Sequence, residues 1–72
     1  MKDIRVGNKV RQVRVNIGLT QGELADLVGV TRQTIGLIEV GRYNPSLKLC
    51  LLIAEVTSTS IGELFWKEKD DE

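Results

Sequence analysis

Apolar residues recur along the first quarter of the chain at the spacing of a helix. They are separated by four, three and four residues, so they fall on one side of a helix with 3.6 residues per turn. Gly18 then stands where a left-handed residue commonly ends a helix. The pattern predicts a first helix over about 6–17. Its apolar stripe consists of Val6, Val10, Val13 and Ile17.

Two short helices with a tight turn between them are predicted next. Thr20 and Glu23 have the spacing of a capping box, in which each side chain satisfies a backbone amide of the other residue. This box predicts a second helix over 21–28, which a glycine ends. Thr31 is then placed to cap a third helix over 32–40. Two helices joined by so short a turn form a helix-turn-helix motif.

Two further helices are predicted in the second half of the chain. Ser46 is placed to cap a fourth helix over 47–56. Ser60, with an acidic residue three positions later, has the capping-box spacing and predicts a short fifth helix over 61–65. No segment alternates apolar and polar residues with period two, so the predicted class is all-α. The residues expected to face the core from the fourth helix are Leu47, Cys50, Leu51 and Ala54.

Length and composition limit what the chain can be. Its 72 residues suffice for one domain, predicted over 1–65 and followed by a charged tail over 66–72. Histidine is absent and Cys50 is the single cysteine, so neither an enzyme nor a metal or cofactor site is expected. No small-molecule ligand site is expected either. The longest apolar run, 49–54, is too short to span a bilayer, so a cytoplasmic location is expected.

The zero net charge is the sum of a positive N-terminal two thirds and a negative C-terminal third. Residues 1–48 contain eight basic and four acidic side chains, a net of +4, whereas residues 49–72 contain two basic and six acidic ones, a net of −4. The positive N-terminal part contains the helix-turn-helix motif, which suits a surface that faces phosphate. Arg5, Lys9 and Arg11 are interpreted as solvated charges in preference to phosphate contacts.

The outward face of the third helix has side chains suited to base edges. Ile35 and Ile38 are expected to face inward, which leaves Arg32 and Gln33 at the exposed N-terminal end. Arginine can form two hydrogen bonds with guanine, and glutamine two with adenine, in the major groove. The free amides at a helix N-terminus suit a phosphate group. The residues alone leave two interpretations open, a solvated helix end and a contact with double-stranded DNA.

The ordered motifs GLTQGELA (18–25), GVTRQTI (29–35), IEVGR (38–42) and PSL (45–47) resemble the Cro/CI-type (Xre) helix-turn-helix family. The resemblance covers about 6–65. It implies a compact five-helix, lambda-repressor-like DNA-binding domain with the motif at helices 2 and 3. It also implies a transcriptional regulator, expected to be a repressor, that binds a pseudo-palindromic operator as a dimer.

The resemblance also implies roles for individual residues. Gln21 matches a residue that bonds a phosphate or the side chain of the first recognition residue, and Arg14 and Glu39 match an ion pair that joins helix 1 to helix 3. Arg32 and Gln33 match positions that read base edges. The other implied contacts lie at the helix starts, on helix 3 and in the following loop. The full set of implied DNA contacts is Thr20, Gln21, Thr31, Arg32, Gln33, Thr34, Leu37, Arg42, Tyr43 and Asn44.

The outer face of the third helix is half apolar, because Gly36, Leu37 and Val40 stand where relatives usually place polar or basic residues. Contact with the methyl group of thymine is one interpretation of these apolar positions. A surface that faces another protein is the second, and ordinary sequence variation is the third. The residues alone leave all three open.

Apolar residues outside the predicted core stripe suggest a second surface. They lie on the fourth helix, at the end of the fifth and at Trp66, and we interpret them as the contact of a two-fold symmetric homodimer. An antitoxin or another protein-interaction module with the same fold is the alternative function. The residues assigned to the dimer contact are Leu49, Leu52, Val56, Phe65 and Trp66.

Overall fold

The computed structural model describes residues 4–68 and contains the five helices expected from the sequence together with two short strands. The helices pack around one apolar core, and the strands join the first and last parts of the described chain. In chain order the elements are β1 (Val6–Asn8), α1 (Val10–Asn16), α2 (Gln21–Val28), α3 (Arg32–Glu39), α4 (Leu47–Thr57), α5 (Ile61–Leu64) and β2 (Phe65–Lys67).

The two strands were not predicted, and they change both ends of the predicted domain. They pair antiparallel, with Val6 opposite Lys67 and Gly7 opposite Trp66. The first helix therefore begins at Val10 and not at Val6, and Trp66 and Lys67, predicted to lie in the charged tail, belong to a strand. The predicted boundary after residue 65 falls inside β2. The last part of the predicted tail, 69–72, lies outside the described residues.

Asn8 explains why α1 starts late. Its Oδ1 accepts a hydrogen bond from the backbone N–H of Val10 at 3.1 Å, and its Nδ2 donates to the carbonyl oxygen of Ile38 at 2.9 Å. Glycine and asparagine both disfavour a helix interior, the asparagine because its side chain competes for backbone groups. The Gly7–Asn8 pair was therefore a visible signal against a helix that begins at Val6.

Gly7 is required by the packing of Trp66. A Cβ atom added at Gly7 would contact Nε1 of Trp66 and lie 2.7 Å from its Cε2, closer than such atoms approach. Gly7→Ala is therefore expected to lower the free energy of unfolding by about 1–3 kcal/mol, measured by urea denaturation. Gly62→Ala is the matched control, because a Cβ there meets nothing within 4 Å. Equal stability of the two variants would contradict the close packing of Trp66 on Gly7.

The predicted N-terminal caps are present in the structure. Thr20 Oγ1 accepts from the N–H of Glu23 at 3.0 Å, and Glu23 Oε1 accepts from the N–H of Thr20 at 2.9 Å, which completes the capping box. Thr31 and Ser46 cap α3 and α4. At α5 the box is incomplete, because the Glu63 carboxylate accepts from the hydroxyl of Ser60 and not from its amide.

The core is formed mainly by α2, α3 and α4, and α1 and α5 each add one buried residue. Gly29, at φ +78°, makes the left-handed turn that brings α3 back against α2. Ile35 and Ile38 face inward from α3, as predicted. The core cluster consists of Val10, Leu24, Ala25, Val28, Ile35, Ile38, Leu49, Ile53 and Leu64.

The predicted inner face of α4 is right for Cys50, which is buried, and for Ala54, which packs against the core, but wrong for the two leucines. Leu47 and Leu51, expected in the core, are 68% and 51% exposed, whereas Leu49 and Ile53 are 6% and 0% exposed. Leu49 is therefore core and unavailable to a dimer contact. The other residues assigned to that contact pack against the protomer to different degrees, and Trp66 remains 41% exposed. Leu52, Val56 and Phe65 are partly buried against the core, and Trp66 lies over Gly7.

Candidate DNA-binding surface

The N-terminal end of α3 presents polar side chains to solvent. Thr31 Oγ1 accepts from the N–H of Thr34 at 3.2 Å, and the two threonine hydroxyls lie 3.0 Å apart in a hydrogen bond. This cap fixes the start of the helix and leaves its next two side chains free of it. Arg32 and Gln33 are both exposed. The first turn of α3 thus carries a cationic and an amide side chain that could enter the major groove of DNA.

A nearly buried ion pair holds α3 against the first helix. Arg14 Nε donates to Glu39 Oε2 at 2.7 Å, and Arg14 Nη2 donates to Glu39 Oε1 at 3.2 Å. The two side chains are 10% and 2% exposed. Arg14 Nη1 also donates to the carbonyl oxygen of Leu19 at 2.9 Å, so the same guanidinium fixes the turn between α1 and α2. The pair implied by the resemblance is thus formed in this chain, with two-pronged geometry.

Gln21 is attached to this pair. Its Nε2 donates to Glu39 Oε1 at 2.9 Å, across the crossing of α2 and α3. The Gln21 amide lies beside Gly36, where an added Cβ atom would be 3.6 Å from Nε2, an ordinary van der Waals contact. The resemblance implied a phosphate or the side chain of Arg32 as the partner of Gln21. In the structure its protein partner is the carboxylate of Glu39, a contact that the sequence reading missed.

A shallow hollow of about 330 Å³ opens on the outward face of α3. It lies at the centre of the predicted contact set and extends along the helix toward its apolar half. Val40, one turn beyond, is 68% exposed. The polar and apolar parts of the α3 face are therefore adjacent on one surface. The hollow is lined by Gln21, Arg32, Gln33, Gly36 and Leu37.

A second groove, of about 500 Å³, runs from α1 to the starts of α2 and α3. Thr20, Gln21 and Arg32 line it, and so does Arg11, which the sequence reading treated as a solvated charge. Arg11 lies on α1 three residues before Arg14, on the side that faces the groove. The two exposed guanidinium groups, of Arg11 and Arg32, therefore flank one groove beside the N-terminal amides of two helices. Its charge and its amide donors suit an anion.

The loop after α3 is exposed at Arg42, Tyr43 and Asn44. Gly41, at φ +78°, turns the chain away from the helix, and the N–H of Arg42 donates to the carbonyl oxygen of Leu37 at 2.8 Å. The loop therefore begins in a fixed position at the C-terminal end of α3. The predicted contacts thus lie at both ends of α3 and at the start of α2.

The part of the chain that the structure describes contains no metal site and no reactive thiol. No group of three His, Cys, Asp or Glu residues within 4–68 is placed to hold a metal ion. Burial raises the pKa of the Cys50 thiol above its ordinary value, which disfavours the reactive thiolate. No helix in the same range is both long and apolar enough to cross a membrane.

Residues 10–64 match the HTH_3 helix-turn-helix family. The chain is 44% identical over 64 residues to an uncharacterized HTH-type transcriptional regulator, YgzD, of Bacillus subtilis strain 168, covering 89% of this chain and 97% of that protein. It is 49% identical over 57 residues to an uncharacterized HTH-type transcriptional regulator of Archaeoglobus fulgidus, covering 79% and 81%.

Among solved structures, the restriction-modification controller protein C.AhdI of Aeromonas hydrophila matches with a TM-score of 0.71 and 35% identity, over 75% of this chain and 82% of that chain. This likeness confirms the predicted five-helix fold class, to which the structure adds a two-stranded sheet. The family consists of DNA-binding transcriptional regulators and not of enzymes. The chain therefore belongs to the Cro/CI-type (Xre) helix-turn-helix family of DNA-binding transcriptional regulators.

Proposed function

We propose that this protein is a sequence-specific repressor that binds a pseudo-palindromic operator as a homodimer, with α3 of each protomer in the major groove. The observation that carries this proposal is the pair of exposed side chains, Arg32 and Gln33, at the capped start of α3. The contacts of Glu39 with the first two helices hold α3 in place. Both residue types form paired hydrogen bonds with base edges. A helix that is already fixed in the free protein need not be ordered when it binds, which lowers the entropic cost of binding.

The surrounding residues supply contacts with the sugar-phosphate backbone. The groove that contains Arg11 and Arg32 offers two guanidinium groups together with the N-terminal amides of α2, close to Thr20 and Gln21. The loop that begins at Arg42 offers a third cation at the opposite end of α3. Contacts with the phosphates on both sides of the DNA major groove fix the register of α3 within that groove. They also make the affinity for DNA fall as the salt concentration rises.

Repression follows from occupancy of the operator. A domain bound in the major groove excludes other proteins from the same DNA, so it needs no surface beyond those that contact DNA and its partner protomer. A dimer would place two copies of α3 about 34 Å apart, one turn of B-form DNA, on the two halves of a pseudo-palindrome. Two half-sites also double the number of phosphate contacts and so increase the affinity.

Gln33→Ala tests direct readout by α3. We expect it to weaken binding to the cognate operator by ~1–3 kcal/mol, because the amide loses its hydrogen bonds to one base. Binding to a scrambled duplex should hardly change, since phosphate contacts remain. The operator is first selected from a random DNA pool, and affinities are then measured by fluorescence anisotropy. Gln12→Ala, at an exposed position on α1, is the matched control. Equal losses on both duplexes would remove Gln33 from base readout.

A protein-interaction module, such as an antitoxin, is the second candidate. The apolar half of the α3 face favours it, because Val40 is largely exposed beside Leu37. Selection from the random DNA pool separates the two functions. A folded protein that enriches no DNA sequence would count against the repressor and leave the protein-interaction function.

A further inference from the structure

The outer side of α4 carries an apolar groove that nothing in residues 4–68 covers. The helix packs by its opposite side against α1, α2 and α5. Leu47 and Leu51 are the most exposed leucines on α4, and the groove between them and the next turn measures about 380 Å³. Adjacent exposed leucines of this kind commonly mark a contact with another protein. The lining residues are Leu47, Lys48, Leu51, Leu52 and Glu55.

The two charges on this face are arranged symmetrically. Lys48 and Glu55 are seven residues apart, almost two full helical turns, so they project from the same side of α4. The midpoint between them falls between Leu51 and Leu52. A two-fold axis through that midpoint, perpendicular to α4, would place an antiparallel copy of the helix with its residue 55 opposite residue 48. Lys48 would then meet Glu55 of the second copy at one end, and Glu55 would meet Lys48 at the other.

We propose that this face, the α4 groove, is the contact of a two-fold symmetric homodimer in which the two α4 helices pack antiparallel. The leucines form the apolar centre, and two interchain Lys48–Glu55 pairs flank it. The inference deepens the proposed function and rests on it for the homodimeric state. It keeps Leu52 from the contact expected from the sequence and excludes Leu49, which is buried in the core.

A second copy of this chain fits the groove better than DNA or a partner of a single charge sign. DNA would be repelled by Glu55, and a purely acidic or purely basic partner would meet one like charge. A second copy in antiparallel orientation presents the same two charges in reverse order and satisfies both, which is the property of a self-complementary contact. None of the residues proposed to contact DNA lines the groove, so both surfaces can be occupied together.

Charge reversal tests the pairing. In Lys48→Glu, two acidic side chains would oppose each other at both ends of the contact, and in Glu55→Lys two basic ones would do so. We expect each single variant to dimerise at least about tenfold more weakly than the parent chain, because like charges are brought together. An equimolar mixture of the two variants should form a heterodimer, and the double variant Lys48→Glu/Glu55→Lys should recover the homodimer. Sedimentation velocity measures all four, and circular dichroism verifies that each variant is folded.

The mixture makes the result specific. Loss of dimer in both single variants with recovery in the mixture requires that residue 48 faces residue 55 across the interface. The proposal would be overturned if the parent chain sediments as a monomer at about 100 μM. It would also be overturned if the single variants dimerise as strongly as the parent chain. The single variants should still bind one half-site duplex specifically. If they do while charge reversal has no effect on dimerisation, the α4 contact is wrong and the DNA-binding proposal stands. If charge reversal acts as expected but no DNA sequence is selected, the α4 contact stands and the DNA-binding proposal is wrong.

Discussion

Glu39→Ala is expected to destabilise the domain by about 3–5 kcal/mol, because it leaves the Arg14 guanidinium buried without its counter-charge. A loss of this size is a large part of the roughly 5–15 kcal/mol that stabilises a typical domain. The Glu39 carboxylate accepts hydrogen bonds from both Arg14 and Gln21, so three helices lose a connection at once. Urea denaturation followed by circular dichroism measures the loss.

A double variant separates the charge effect from simple loss of packing. Arg14→Met/Glu39→Leu removes both charges and fills the same space with apolar atoms, so most of the lost stability should return. DNA affinity should return only in part, because Gln21 no longer has an anchor on α3. If Glu39→Ala costs less than about 1 kcal/mol, the pair behaves like an exposed one and does not hold α3 in place.

Leu49→Ala should lower the free energy of unfolding by about 2–5 kcal/mol, whereas Leu47→Ala should change it by no more than about 0.5 kcal/mol. The two residues are of one type and two positions apart on α4, but Leu49 is buried and Leu47 is exposed. The contrast should be measured at concentrations where sedimentation gives the mass of a single chain, so that association does not contribute. Similar losses in both variants would contradict the face of α4 that the structure assigns to the core.

The error in α4 has a physical cause. The helix is apolar around almost its whole circumference, so more than one stripe of leucines satisfies the helical period. The informative residues were the two charged ones, since Lys48 and Glu55 lie on one side and mark the solvent-facing surface. The same two residues define the symmetry of the proposed dimer contact. In such a helix the polar positions locate the inner face better than the apolar ones do.

Whether the other features could be predicted from the sequence depended on how far apart along the chain the interacting residues lie. The capping box of Thr20 and Glu23 spans four residues and was predicted from the sequence alone. The β1–β2 pair joins Val6 to Lys67 through strands of three residues, which are too short to show a period of two. The pairing of Arg14 with Glu39 crosses 25 positions and came from the family resemblance and not from the residue pattern. The bond from Gln21 to Glu39 was not predicted by either route.

The antiparallel pairing of β1 with β2 also determines how the domain would respond to mechanical force. Val6 and Lys67 are direct partners and the N–H of Glu68 donates to the carbonyl oxygen of Arg5, so the first and last described residues lie at the same end of the strand pair. Tension applied at those two residues would act across one end of the strand pair. The backbone hydrogen bonds would then break one after another, as in a zipper, and would not resist together in shear. The strands, with Trp66 lifted from Gly7, would open before the helical core bore the load.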